Sequence, residues 1–175
     1  AGMVDEAYDS VSKAVTGADL VIYCVPVLAI GPLVDASRSA FKADAVVTDV
    51  ASSKAELTSR LGPVFADSGA YFVGSHPIAG SAQSGLDSAR ADLFQGAVVT
   101  VSPGLPKKDK AGQDLVQDPK AQAAMVRVAE FWQALGAIVV PMTAVEHDRI
   151  LARTSHLPHL VSAALMATIG RGDLE

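Results

Sequence analysis

Short apolar runs rich in β-branched residues recur along the chain, at 19–27 (DLVIYCVPV), 45–50 (AVVTDV), 71–75, 97–102 (AVVTVS) and 137–142 (AIVVPM). Their length, and the absence of a strict apolar–polar alternation, predict strands buried on both faces. Between them lie stretches of helical composition, notably 52–61 and 119–135, with a weaker helix-like piece at 4–15. Strands separated by helices predict right-handed βαβ units and an α/β class with a doubly wound, mostly parallel sheet. The stretch from Pro119 carries its own punctuation: Asp118 can cap it, Pro119 suits a first helical position, and Gly136 can close it in the left-handed conformation. Its apolar positions Ala123, Val126, Ala129 and Leu135 are expected to face the sheet.

Residues 104–118 (GLPKKDKAGQDLVQD) are polar and long for a compact α/β connection, and read as a surface insertion. After Met142 the pattern changes. Thr143 followed by Glu146 forms a capping box, and about 25 residues of helical composition follow without another strand. A second, helical domain is expected to start there, with a kink at Pro158, which has no N–H to offer the carbonyl of Thr154. An α/β chain that opens on a weak helix and a central-type strand, and ends on an unpartnered helix, reads as incomplete at both ends.

Composition narrows the function classes. Of the 175 residues, 50% are hydrophobic and 19% charged, which is globular rather than disordered. A formal net charge of −5, with no basic block, argues against a nucleic-acid partner. The uncharged stretches 20–34 and 156–170 fall short of the roughly 18 apolar residues of a membrane span, so no membrane partner is expected. The lone Cys24 sits in an apolar run and is expected to be a buried, inert thiol, and no secretory signal opens the chain, so a cytoplasmic location is expected.

Three constellations could carry chemistry. In 73–85 (VGSHPIAGSAQSG), His76 follows a strand end, where α/β sheets place their ligands, and the flanking glycines would let backbone approach a ligand. A histidine capping a local turn is the alternative. In 48–54 (TDVASSK), Ser52 and Ser53 could cap a helix whose N-terminus binds an anion or a polar cofactor group. Capping alone is the simpler account. In 145–159 (VEHDRILARTSHLPH), a step of about 100° per residue puts Asp148, Ser155 and His159 within roughly 40° of one another on a helix. That polar stripe would face a ligand or plain solvent. A metal site built on His156, His159 and Asp148 is disfavoured, because there is no HExxH, cysteine set or acidic cluster to complete it, and no metal is expected. No G-x-G-x-x-G occurs, so a dinucleotide site cannot be claimed from that motif.

Taken in order, ADLVIYCVPV, VVTDVASSK, GSHPIAGSAQSG and HDRILARTSHLPH resemble the prephenate and arogenate dehydrogenases of tyrosine biosynthesis over nearly the whole chain. The resemblance implies a Rossmann-like nucleotide-binding domain at 1–142 and the start of a helical substrate and dimerisation domain at 143–175. The Gly-rich loop would lie before Ala1 and most of the dimer domain, with the arginine that grips the ring carboxylate, after Glu175. It implies NAD- or NADP-dependent oxidative decarboxylation of prephenate or arogenate by a homodimer. His76 matches the catalytic histidine and Ser52 the serine between substrate hydroxyl and nicotinamide. Val25, Pro26 and Val27 match the loop that passes the cofactor, and Ser81 a hydroxyl residue near the carboxamide. His147, Ser155 and His159 match helical residues that line or support the substrate side. Where some members carry an acidic side chain, this chain has Ala82. Another hydroxy-acid dehydrogenase of the same architecture, or a non-catalytic ligand-sensing module, are the alternatives.

Overall fold

The computed structural model describes residues 4–80, 89–104 and 118–170. Five strands form one sheet in the order β1 (Leu20–Tyr23), β2 (Val46–Asp49), β3 (Tyr71–Ile78), β4 (Val98–Pro103) and β5 (Ile138–Pro141). All neighbours run parallel except β3 and β4, which pair antiparallel from Val73↔Pro103 to Ile78↔Val98. The sheet is thus mixed and mostly parallel, as the run pattern predicts.

Alternation along the central strands feeds two cores. Val47 and Phe72 point to one face, where Ile30 and Val34 of α2 (Val27–Ser37) and Leu57, Leu61 and Phe65 of α3 (Ala55–Asp67) cover them. Val46, Val73, Val99 and Val101 point to the other, under Ala124, Val128 and Trp132 of α4 (Pro119–Ala134). The short α1 (Val11–Val15) completes the first layer and is all that forms of the helix expected over 4–15.

Several expectations shift. The run 19–27 does not stay extended: β1 ends at Tyr23, and Val27 already opens α2, a helix hidden in the sequence by its uniform apolarity and by Gly31 and Pro32. Cys24 therefore lies in the β1–α2 connection and is exposed, not buried. The third helix begins at Ala55 rather than Ser52. Helix α4 is capped as expected, with Lys120 N–H donating to Asp118 Oδ1 at 2.9 Å and Gly136 at φ 84°. Its buried face, however, is Ala124, Val128 and Trp132, whereas Ala123, Val126 and Leu135 are exposed and Ala129 is half-buried. Trp132 decides that rotation, since its ring packs edge-on against Phe94 and Phe131 and a large aromatic buries more area than any of the small residues beside it. Strand β5 is less buried than its composition suggests, with Ile138 57% exposed, because β4 pairs with it and nothing described pairs on its other side. Of the polar insertion expected at 104–118, residues 105–117 lie outside the described residues.

Beyond the sheet, Thr143 caps α5 (Ala144–Leu151), its hydroxyl accepting from Glu146 N–H at 3.1 Å. A π-helical turn (Ala152–His156) follows and then α6 (Leu157–Ile169), with Pro158 in its first turn. The interruption arises as expected from proline chemistry: Thr154 finds no N–H four residues on, and the backbone widens so that Leu157 N–H reaches the Ala152 carbonyl.

Candidate functional site

Strand β3 positions the site. Its parallel pairing with β2 stops at Thr48↔Val73, but β4 holds it extended as far as Ile78. His76 therefore stands within β3, not after its end, and just past the carboxyl end of β2. The sequence could not show this, because the support comes from β4, a strand more than 20 residues later.

Beneath His76 the end of β2 is tied down by a buried polar network. Asp49 and Lys54, both fully buried side chains, form an ion pair. Asp49 also accepts from Ala51 N–H at 2.9 Å and Ser75 N–H at 3.2 Å, and Thr48 and Ser75 share a hydroxyl hydrogen bond of 2.9 Å. Burial pushes the Asp49 carboxyl up and the Lys54 ammonium down, and their mutual attraction opposes both shifts. Gly74 serves this pair rather than a ligand, since a Cβ there would lie 3.1 Å from Lys54 Cδ. Among the described residues nothing lies within 4 Å of a Cβ at Gly80, and Gly85 lies outside the described residues.

Helix α5 supplies the other half. His147 is fully buried, its Nε2 2.9 Å from His76 Nδ1 and its Nδ1 2.7 Å from Asp148 Oδ1. The two imidazoles meet edge to face, at 72°. Asp148 then crosses to α3, where Oδ1 accepts from Lys54 N–H at 2.8 Å and Oδ2 from Ala55 N–H at 2.9 Å. That carboxylate caps α3, in place of Ser52 or Ser53, and occupies the N–H groups expected to bind an anion. Although burial pushes its pKa up, the bonds from Ala55, His147 and Lys54 outweigh it and hold it below the ordinary carboxylate value.

The remaining sites expected from the sequence fall as follows. Val25 and Pro26 lie in the β1–α2 connection and Val27 opens α2, all at the carboxyl edge of the sheet. Ser52 is exposed in the β2–α3 connection. Ser81 is outside the described residues. Ser155 and His159 are exposed, on the π-turn and α6, while Asp148 is turned to α3. A π-turn lies between Asp148 and His159, so the 100° step of a continuous helix does not hold across them. The Asp49–Lys54 pair and the Asp148 cap escaped the sequence reading. A buried lysine has no local signature, although D-x₄-K at a strand end was there to be noticed. Among the described residues no three His, Cys, Asp or Glu side chains gather as metal ligands would.

His76 is held neutral. Burial comes first, followed by the charges of His147, Lys54 and His156; against the pull of Asp148 they lower its pKa from 6.5 to about 4. This places its titration lower than the unperturbed value the sequence suggests. Between about 4 and 6.5 the unfolded chain takes up a proton that the folded chain refuses, so stability is full above 6.5 and falls as pH drops toward 4. Denaturation midpoints across that interval, for the protein and for His76→Asn, are expected to show a smaller decline in the variant. Equal declines would mean that His76 does not carry this proton uptake.

A mostly parallel sheet with helices on both faces, and half-buried His76 of β3 meeting buried His147 of α5 at its carboxyl edge, defines the class: a Rossmann-type nucleotide-binding domain. The family model described as "Prephenate dehydrogenase, nucleotide-binding domain" matches residues 1–140, and "Prephenate dehydrogenase, dimerization domain" matches 143–173. The chain belongs to the prephenate dehydrogenase family. It is similar to the cyclohexadienyl dehydrogenase of Zymomonas mobilis, with 33% identity over 94% of this chain and 51% of the relative, and to the prephenate dehydrogenase of Bacillus subtilis, with 31% over 94% and 41%. The chain thus spans about half the length of these relatives or less. Its fold superposes on Aquifex aeolicus prephenate dehydrogenase in complex with hydroxyphenyl propionate and NAD+, with a TM-score of 0.80 and 29% identity over 99% of this chain and 56% of that one. Synechocystis arogenate dehydrogenase follows, with a TM-score of 0.74 and 30% identity over 98% and 55%.

Proposed function

We propose that this chain belongs to an enzyme that carries out NAD(P)-dependent oxidative decarboxylation of prephenate or arogenate, and that His76 is its catalytic residue. In that reaction the ring carbon bearing the hydroxyl loses hydride while carbon dioxide leaves and the ring becomes aromatic. Bound oxidised nicotinamide supplies the hydride acceptor. The observation that carries the reading is the neutral His76 at the carboxyl edge, with Nδ1 engaged by His147 and Nε2 without a partner among the described residues, where a substrate hydroxyl could reach it. A neutral ring nitrogen can accept from that hydroxyl and take up the positive charge that develops as hydride departs.

The residues present fit the nicotinamide end of a dinucleotide. Half-buried Val25 and Val27, with exposed Pro26 and an 82% exposed Leu28, make an uncharged apolar rim at the end of β1, suited to a flat ring. Val25, Pro26 and Val27 would pass the cofactor, and Ser52 on the next connection would stand between it and the substrate. Ser81 would lie near the carboxamide, and His147, Ser155 and His159 would support or line the substrate side. We also divide the chain into a nucleotide-binding domain at 1–142 and the start of a helical domain at 143–175, a division supported by the end of β5 at Pro141, the cap at Thr143 and the two matched ranges. The test is the appearance of reduced nicotinamide when the full-length protein meets prephenate or arogenate with NAD or NADP. Turnover of neither substrate with either cofactor would leave the ligand-sensing alternative in possession.

Self-association belongs to the same reading. Leu160, Val161, Leu165 and Met166 of α6 are each more than half exposed, a contiguous apolar surface suited to a second copy of the chain. Among the described residues no helix is long and apolar enough to cross a membrane. Sedimentation of the full-length protein is expected to show a dimer at micromolar concentration, and Leu160→Glu with Leu165→Glu to shift it toward monomer. A monomer in the unaltered protein would remove the dimer from the proposal.

A further inference from the structure

We propose that Asp148 is a positioning residue: acting through His147, it fixes which nitrogen of His76 carries hydrogen and leaves His76 Nε2 as the acceptor. This rests on the catalytic reading of His76 for its functional consequence, but not for its geometry.

Three groups stand in line, Asp148, His147 and His76. The Asp148 carboxylate can only accept, so the 2.7 Å contact makes His147 Nδ1 the donor. A neutral imidazole with hydrogen on Nδ1 accepts at Nε2, and the 2.9 Å contact there is filled by His76 Nδ1–H. His76 is then left with a bare Nε2. The reverse order, with His147 donating at both nitrogens, would place hydrogen on His76 Nε2 and abolish its capacity to accept.

Asp148 is itself held in place. Its two oxygens take Lys54 N–H and Ala55 N–H, so its orientation is set by the first turn of α3, 94 and 93 residues away in the chain. Because β2 leads directly into α3 and β2 also pairs with β3, the element that fixes Asp148 belongs to the same framework that fixes His76. The cap thus references α5 to the sheet, and His147, one residue earlier, inherits that reference.

Long-range proton–nitrogen correlation spectra of the protein carrying ¹⁵N-labelled histidine read the tautomers directly, without substrate. His76 is expected to carry hydrogen on Nδ1. Asp148→Asn removes the obligatory acceptor, since its amide can turn an N–H toward His147, and is expected to shift His76 toward the Nε2–H form. His147→Phe keeps a ring in the edge-to-face contact but offers no acceptor, and should shift His76 the same way. In the full-length enzyme, Asp148→Asn should lower kcat by about 10²-fold with KM little changed, the low end of what a positioned proton acceptor contributes. Hydrogen on His76 Nε2 in the unaltered protein overturns the proposal. So does Asp148→Asn that loses thermal stability or activity while His76 keeps its tautomer, for the carboxylate would then be a cap of α3 and nothing more. Failure of the full-length protein to oxidise prephenate or arogenate would strike the functional reading, and the spectra would still decide the tautomer.

Discussion

His76→Asn in the full-length enzyme is expected to lower kcat by about 10²- to 10⁴-fold, the range over which a positioned proton acceptor acts. KM should stay close to its original value. The asymmetry has a physical cause: the hydroxyl gains positive character only as hydride leaves, so the bond to His76 Nε2 strengthens in the transition state and contributes little to the ground-state complex. Asparagine keeps a side chain of similar reach that can bond to His147 Nε2, which limits collateral damage at that contact. The pH profile gives a second handle. With His76 lowered to about 4 by burial and by the charges of His147, Lys54 and His156, the acid limb of kcat/KM in the unaltered enzyme should lie near that value, not near 6.5. Steady-state kinetics across pH decide the matter. A variant keeping more than about a tenth of the original kcat, outside the range expected of such a group, would leave His76 as a structural partner of His147 and no more.

Lys54→Met is expected to destabilise the folded chain by about 3–5 kcal/mol, because it strands the Asp49 carboxylate in a site from which both side chains are wholly excluded from water. Methionine fills much of the volume of the lysine stem, so the loss reports the missing charge more than a cavity. Removing both charges, in Lys54→Met with Asp49→Asn, should recover a good part of that loss, since no unpaired ion then remains. The pH dependence of the single variant is signed. An unpaired buried carboxyl has a raised pKa, the folded chain then holds a proton the unfolded chain would release, and the deficit shrinks as pH falls. Chemical denaturation of the three variants measures all of this. A loss below about 1 kcal/mol, no more than an exposed pair contributes, would show that the pair is not insulated from solvent as the structure has it.

The network that the second variant disturbs is also where sequence and structure part company. What could be read from the residues alone is what forms within a few positions of itself. The β-branched runs became strands, Asp118 and Gly136 closed the two ends of α4, Thr143 capped α5, and Pro158 interrupted the helix that follows. Each depends on neighbours one to five residues away, where spacing is geometry. The apolarity of residues 27–34 hid α2, because exposed positions such as Leu28 are as apolar as the buried Ile30 and Val34 and leave no polar face to mark the period. The rotation of α4 stayed hidden as well: several small apolar positions offered a plausible stripe, and only the pocket formed with Phe94 selected Trp132, Val128 and Ala124. His76 and His147 could be singled out as residue types, but not as partners. Their contact, the burial of Lys54 on Asp49, and the capping of α3 by a carboxylate 94 positions downstream all follow from the packing of α5 against α3 and the sheet. Local pattern determined the elements and the kinds of chemistry available, whereas which groups meet, and which of them lose their water, was decided by tertiary contacts that no spacing in a single chain records.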